Sequence, residues 1–313
     1  MVQRLYIHPK SLTREKRIYL PAIRRYGARI RVRVLGRHRS DNNLVRAVVE
    51  IVGDKEVIRA VRRLGIKLVK KPISAYFDLR VLAEIVYSEK DPYPVGVGEF
   101  GEIVCVDVSL PVAVDDPAYA LAIVDGPVLW VDFRGDQIPL KFDFREYAGF
   151  SMPRSPRVIH NIADGLASIL RIRPDNIVGA FLEERREIMS DVEFKIVDPL
   201  KDLREWKVIV EDSEPLCGRC YIDFSGLPNT LQHAALVIAV AVWNSWLVLD
   251  VPRAWRWLEN HIRYRSRTLV VCKTAFGFDF PNIIIGDKIV RKVKLLDRVV
   301  ITERPFEPFW RLG

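Results

Sequence analysis

Three groups of residues in this chain carry the chemistry it could do: a run of arginines, a scatter of carboxylates near the ends of apolar segments, and a pair of cysteines. In residues 28–35, "ARIRVRVL", Arg29, Arg31 and Arg33 alternate with Ile30, Val32 and Val34, and Arg37 and Arg39 follow. Strict alternation is the period of a strand, so one side of it is core and the other is a row of guanidinium groups. Arg62, Arg63, Lys70 and Lys71 add to the positive charge of the same region. Such a concentration is the electrostatic footprint of a phosphate backbone, DNA or RNA, though arginines on phosphates read no sequence. The competing explanation is a solvated face, or a surface that docks on the chain's own acidic middle. Cys217-Gly218-Arg219-Cys220 has the spacing of half a zinc knuckle or of a redox pair, but Cys105 and Cys272 stand alone. Structural cysteines or a disulfide are therefore expected, and zinc is not. His8 and His38 lie among the basic residues and could touch phosphate. His160, His233 and His261 lack a partner one helical turn away and are expected to pack. No phosphate-cradling glycine motif occurs, which excludes a nucleotide-driven motor or a dinucleotide enzyme.

The charge is unevenly placed. The chain of 313 residues has a formal charge of +9, divided as +15 over residues 1–72, −12 over 73–260 and +6 over 261–313. With 49% hydrophobic and 28% charged residues it has the material for packed cores, and its length suggests about two domains. Glutamine occurs only at 3, 137 and 232 and methionine three times, while Arg, Glu, Val and Ile abound. This is the composition that high temperature favours, pointing to a thermophile, an archaeal one included. No signal-peptide pattern opens the chain, and the longest apolar run, from Ala234 to Trp243 and on to Leu249, is too short for a spanning helix. A cytoplasmic, intracellular protein with no membrane partner is expected.

Elements must position these residues. The patterns predict an α/β (α+β) chain: a small basic domain over residues 1–90, a linker at 91–101 rich in proline and glycine, and a mixed-sheet domain over 102–313. In the first, residues 28–35 are a strand, helices run from Asp41 or Asn42 to Val52 and from Asp54 to Gly65, and another spans 74–87. In the second, residues 102–110, 119–124 and 128–133 read as an antiparallel meander. A helix at 156–172, strands at 177–182, 192–197, 207–211 and 221–224, a long buried helix at 229–249 and an aromatic, basic helix at 251–267 come next. Strands around 269–273, 282–285 and 291–302 close the chain. Trp243, Trp246, Trp255 and Trp257 lie close to Arg263, Arg265 and Arg267, a mixture that can stack single-stranded bases, although the first two sit in the most apolar segment and are expected in the core. No internal repeat is evident.

A strand carrying Asp107, a meander and then a helix is the order of a ribonuclease H-like core, where acids hold two divalent ions against a phosphodiester. Val106-Asp107-Val108-Ser109, Phe144-Arg145-Glu146-Tyr147 and Pro174-Asp175 leading toward Glu183 resemble the motifs of endonuclease V and related ribonuclease H-like nucleases. The resemblance covers about 80 residues. It implies a metal-dependent endonuclease or exonuclease with Asp107, Glu146 and Glu183 as catalytic ligands to Mg²⁺ or Mn²⁺. The family's Asp-Gly is Glu183-Glu184 here, and its later Gly-His is missing. Pro174-Asp175 with Glu193-Phe194-Lys195 also matches the loose PD-(D/E)xK pattern of other nucleases, with Asp175 on the wrong strand for it. The alternatives are a non-enzymatic nucleic-acid-binding or assembly protein, of a mobile element or virus, and an accessory subunit of a nucleic-acid-processing complex that meets a protein partner through the acidic middle. Oligomeric state is not legible.

Overall fold

The computed structural model describes residues 2–12, 20, 24, 27–41, 43–87, 91–182, 200–210, 214–295 and 298–311. The architecture mixes α and β, and the chain divides into two compact units, Met1–Ser109 with Ile284–Gly313, and Leu110–Ile283. Among the described residues no helix is long and apolar enough to cross a membrane. Strands and helices are numbered along the chain.

The first unit is built on a sheet in which β3 (Leu44–Gly53) lies between β1 (Gln3–Ile7) and β2 (Arg29–Arg37), with antiparallel pairing on both sides. The short β4 (Leu68–Val69) and β5 (Ala75–Asp78) pair β1 and β3. The alternation of β2 behaves as its sequence demands. Ile30, Val32 and Val34 are buried, and Arg29, Arg31 and Arg33 are exposed. Against the apolar face pack α1 (Lys55–Arg63), through Val57, Ile58 and Val61, and α2 (Leu79–Val86), through Leu79, Leu82 and Ala83. Helix α1 starts where expected, because the Asp54 carboxylate accepts the Val57 N–H at 2.8 Å, and it stops at Gly65, whose φ is +74°.

Residues 44–53 are a strand rather than the expected helix. Val45, Val48, Val49, Ile51 and Val52 are stiff at χ1 and fill a pleated surface well, and a propensity of that kind outweighed an acidic cap at 41. Residues 91–101, expected as a linker, contain β6 (Pro92–Val97), which pairs β7 (Ile103–Asp107) as a hairpin. The end of the chain adds a second hairpin, β17 (Lys288–Leu295) with β18 (Arg298–Pro305), and β19 (Glu307–Pro308) pairs β6. Gly96 is required there, since a Cβ would lie 2.3 Å from the Glu307 carbonyl oxygen.

The second unit holds a parallel sheet, not an antiparallel meander. Its strands are β8 (Val112–Val114), β9 (Val128–Asp132), β10 (Arg145–Glu146), β13 (Arg219–Asp223), β14 (Trp246–Asp250) and β15 (Thr268–Val271), in the order β10-β13-β9-β14-β15-β8. Every one of these pairings is parallel. The minor strands β11 (Phe150–Ser151) and β12 (Ile209–Val210) pair with each other, and β16 (Asn282–Ile285) follows β15 in sequence. Of residues 119–124, expected as a strand, 119–123 lie in α3 (Pro117–Ile123), because Asp116 caps the Ala118 N–H and Pro117 supplies a preset first turn. For the same reason Pro156 opens α4 (Pro156–Leu170), and Pro174 opens α5 (Pro174–Leu182) where a strand was expected. The strand expected at 192–197 lies outside the described residues.

Following the short α6 (Lys201–Glu205), α7 (Asn229–Val242) ends earlier than its apolar run suggests. The Arg265 guanidinium donates to the carbonyls of Trp243 at 2.6 Å and Ser245 at 3.0 Å, which holds the chain in a turn, and Trp246 to Asp250 continue as β14. The aromatic, basic segment forms the shorter α8 (Arg256–Ile262). Helices α4 and α7 meet at Gly165, where a Cβ would stand 2.5 Å from Val237 Cγ1. Replacing Asp54 by Ala removes the cap of α1 and is expected to lower the unfolding free energy by about 1 kcal/mol, measurable by denaturant titration.

Candidate active site at the carboxyl edge of the parallel sheet

Three apolar runs, Val128 to Val131, Cys220 to Ile222 and Trp246 to Leu249, each end in an aspartate: Asp132, Asp223 and Asp250. Strands covered on both faces read as such unbroken runs, and here they stop together. Asp223 stands opposite Asp132 in the register of β13 and β9, and Asp132 opposite Asp250 in that of β9 and β14. Neighbouring strands lie about 4.8 Å apart, so three carboxylates start side by side on one edge. The chain leaves β9 toward one side of the sheet and β14 toward the other. The crevice outside the carboxyl ends of such a strand pair is where open α/β sheets bind their ligands.

Asp132 is buried and fully engaged. Its Oδ1 accepts the N–H groups of Arg134 at 2.6 Å and Gly135 at 2.8 Å, and its Oδ2 accepts the Tyr221 hydroxyl at 2.8 Å and the Gln137 N–H at 3.3 Å. Burial raises the Tyr221 pKa strongly, with Asp132 adding to the shift, so the phenol stays protonated and keeps donating. These bonds shape the turn after β9, in which Gly135 takes φ +82°. A Cβ at Gly135 would lie 2.9 Å from Ser225 Oγ in the matching turn after β13. There Asp223 Oδ1 accepts the Ser225 N–H at 2.8 Å, so Asp132-Phe133-Arg134-Gly135 and Asp223-Phe224-Ser225-Gly226 are two short turns of similar design.

The turn aims Arg134 back over the sheet edge, where its guanidinium pairs with Asp250 Oδ1 at 3.1 Å and with Asp136. Asp250 is buried, and its Oδ2 has no hydrogen-bond partner among the described residues. Burial pushes the Asp250 carboxyl up to about 7; Arg134 pulls it back, and Asp132 and Asp136 push it further up. Two carboxylates, those of Asp250 and Asp136, thus share one guanidinium. An orphaned buried oxygen and a raised carboxyl pKa mark Asp250 as a candidate functional group.

The described residues among those singled out from sequence lie elsewhere. Asp107 closes β7 in the first unit, where its Oδ1 accepts the Ser109 N–H at 2.9 Å and the Asp91 N–H at 3.4 Å. Glu146 is exposed on β10 in the second unit, and Glu183 lies outside the described residues. The meander that gave Asp107 its address is absent, so neither unit holds two described members of that trio. Asp175 sits in the first turn of α5, while Glu193 and Lys195 are outside the described residues. None of the four cysteines forms a disulfide, with Cys217 exposed and Cys220 buried; the Cys220 thiol donates to the Cys217 carbonyl at 3.1 Å. His233 Nε2 meets His261 Nε2 at 2.8 Å, a pairing across α7 and α8 that helical spacing could not reveal. Burial lowers both, His233 to about 4. Trp257 lies between the rings of His233 and Trp255, so its aromatic surface is taken up by packing.

Among the arginines, Arg29, Arg31 and Arg33 share the exposed face of β2. Arg37 donates to the Phe309 carbonyl at 2.9 Å, and Arg39 is exposed just beyond the strand. Arg62 and Arg63 end α1, which covers the opposite face of the sheet, and Lys70 and Lys71 are exposed after β4. The positive charge is therefore not a single stripe. Among the described residues no group of three or more His, Cys, Asp and Glu is arranged to hold a metal ion. No protein-family model matches the chain, and no curated protein matches it significantly.

Because the folded-state pKa of Asp250 is raised above the roughly 3.9 of an unfolded aspartate, its contribution to stability is full below about pH 4 and is lost as pH rises through about 7. Unfolding free energies across that range should show the wild type losing ground to Asp250→Asn. Arg134→Gln should move the Asp250 midpoint, read by carboxyl-carbon NMR, to still higher pH.

Proposed function

We propose that this chain is a nucleic-acid-binding protein that hydrolyses phosphodiester bonds of DNA or RNA with a divalent metal, at the carboxyl edge formed by Asp223, Asp250 and Asp136. The observation that carries the reading is Asp250: a buried carboxylate at a topological switch point, with one oxygen unpartnered among the described residues and its pKa raised. The donor set is all carboxylate oxygen, which suits Mg²⁺ or Mn²⁺ and not zinc. Asp250 Oδ2 and the Asp223 carboxylate would hold the ion. Bound there, a divalent ion supplies an activated water and neutralises charge on the phosphate. Asp132 has no capacity left for a metal and acts as a positioning residue for the turn that carries Arg134. That guanidinium, held at the edge by Asp250 and Asp136, would neutralise a phosphate oxygen. The basic face of β2 supplies backbone affinity.

A second reading, a nucleic-acid-binding protein without hydrolysis, is favoured by one feature: Arg134 already neutralises the edge, as a purely structural ion pair would. The two separate in one experiment. Single- and double-stranded DNA and RNA are incubated with the protein in Mg²⁺, in Mn²⁺ and in EDTA. Cleavage is expected only with metal, reduced at least about 100-fold in Asp250→Asn and Asp223→Asn, and retained in Asp107→Ala. Binding with no cleavage under any condition supports the second reading. Cleavage that survives Asp250→Asn but not Asp107→Ala moves the site away from this edge.

A further inference from the structure

The polar face of the first unit's sheet carries more than charge. Partners in an antiparallel ladder share a face, so the registers of β2, β3 and β1 set out rows across it. Arg29, Val52 and Arg4 form one row, Arg31, Glu50 and Tyr6 the next, and Arg33 and Val48 the third. Arg4 is neutralised by Glu50 at 2.9 Å. Arg29, Arg31 and Arg33 are left to give the face its net positive charge.

The tip of the β6–β7 hairpin is fastened to the rim of this face. The Val34 N–H donates to the Gly101 carbonyl at 2.7 Å, and the backbones of Arg33 and Glu102 pair in an isolated antiparallel bridge. Gly101 has φ +77°, and Arg33 Cγ lies 3.2 Å from where its Cβ would be, so only glycine fits this close approach. The Glu102 carboxylate accepts the Phe100 N–H at 3.1 Å and the Arg304 guanidinium at 3.0 Å, and Arg304 donates also to Tyr87 Oη at 2.9 Å. This network fixes the backbone of Phe100 while its ring stands 82% exposed. A cavity of about 620 Å³ lies along the face, and Tyr6, Arg31, Arg33 and Phe100 are among its lining residues.

A positive groove edged by an exposed aromatic ring on a rigid support suits a strand whose bases are free to stack. A duplex keeps its bases stacked inside and offers the groove phosphates alone. We infer that this groove binds single-stranded nucleic acid, with Phe100 and Tyr6 stacking on bases and Arg31 and Arg33 holding the phosphates. The inference rests on the nucleic-acid reading above and adds the strandedness of the ligand.

Fluorescence anisotropy in EDTA, with the full chain and labelled single-stranded dT, single-stranded rU and a duplex of equal length, tests it without cleavage. The wild type is expected to favour a single strand. Phe100→Ala should weaken that binding on the order of tenfold and duplex binding less than about twofold, with Phe100→Trp restoring it. Arg31→Ala should weaken both and flatten the salt dependence. Preference for the duplex, or a Phe100→Ala variant that binds as the wild type does or loses both ligands equally, overturns the inference alone. A wild type that binds none of the three removes the nucleic-acid reading itself.

Discussion

Burying two carboxylates at the end of a parallel sheet is the constraint on which the second unit depends. An ionised carboxylate withdrawn from water must be met by donors or lose its charge. Asp132 meets the requirement with four donors from its own turn and from Tyr221 on the next strand. Asp250 meets it in part, through one guanidinium that Asp136 also engages, and its carboxyl pKa rises as a result. The turn after β9, the direction of Arg134 and the approach of Gly135 to Ser225 follow from how Asp132 is satisfied. A carboxylate that organises a loop thereby sets the electrostatics of its neighbour.

Charge is divided between the two units. The first unit concentrates exposed cations on β2, on a sheet whose other face is packed by α1 and α2. The second concentrates acids at a strand edge. The uneven distribution of formal charge along the sequence reflects this division, and the net value of +9 describes neither unit.

Much of the first unit was legible. The alternation of residues 28–35 dictated both a strand and its arginine face, and Asp54 with Gly65 bounded α1. The misread segments share a cause, since local patterns are ambiguous between helix and strand when apolar residues are dense. Residues 44–53 were settled by β-branched packing, and 117–123 and 174–182 by prolines that open helices. The apolar run from 234 was cut by Arg265, which arrives from 22 residues beyond Trp243. No periodicity within the run records that contact.

The sequence by itself determined the basic face, because a period of two places alternate side chains on opposite sides wherever a strand forms. It also determined that apolar segments end in Asp132, Asp223 and Asp250. Only the tertiary structure decided that these three ends adjoin, since parallel pairing joins strands far apart in sequence, with Asp132 and Asp250 separated by 118 residues, through crossovers whose order local sequence does not encode. Adjacency turned three ordinary strand ends into one acidic edge, and it left Asp107 and Glu146, two of the acids chosen by motif, without that shared position.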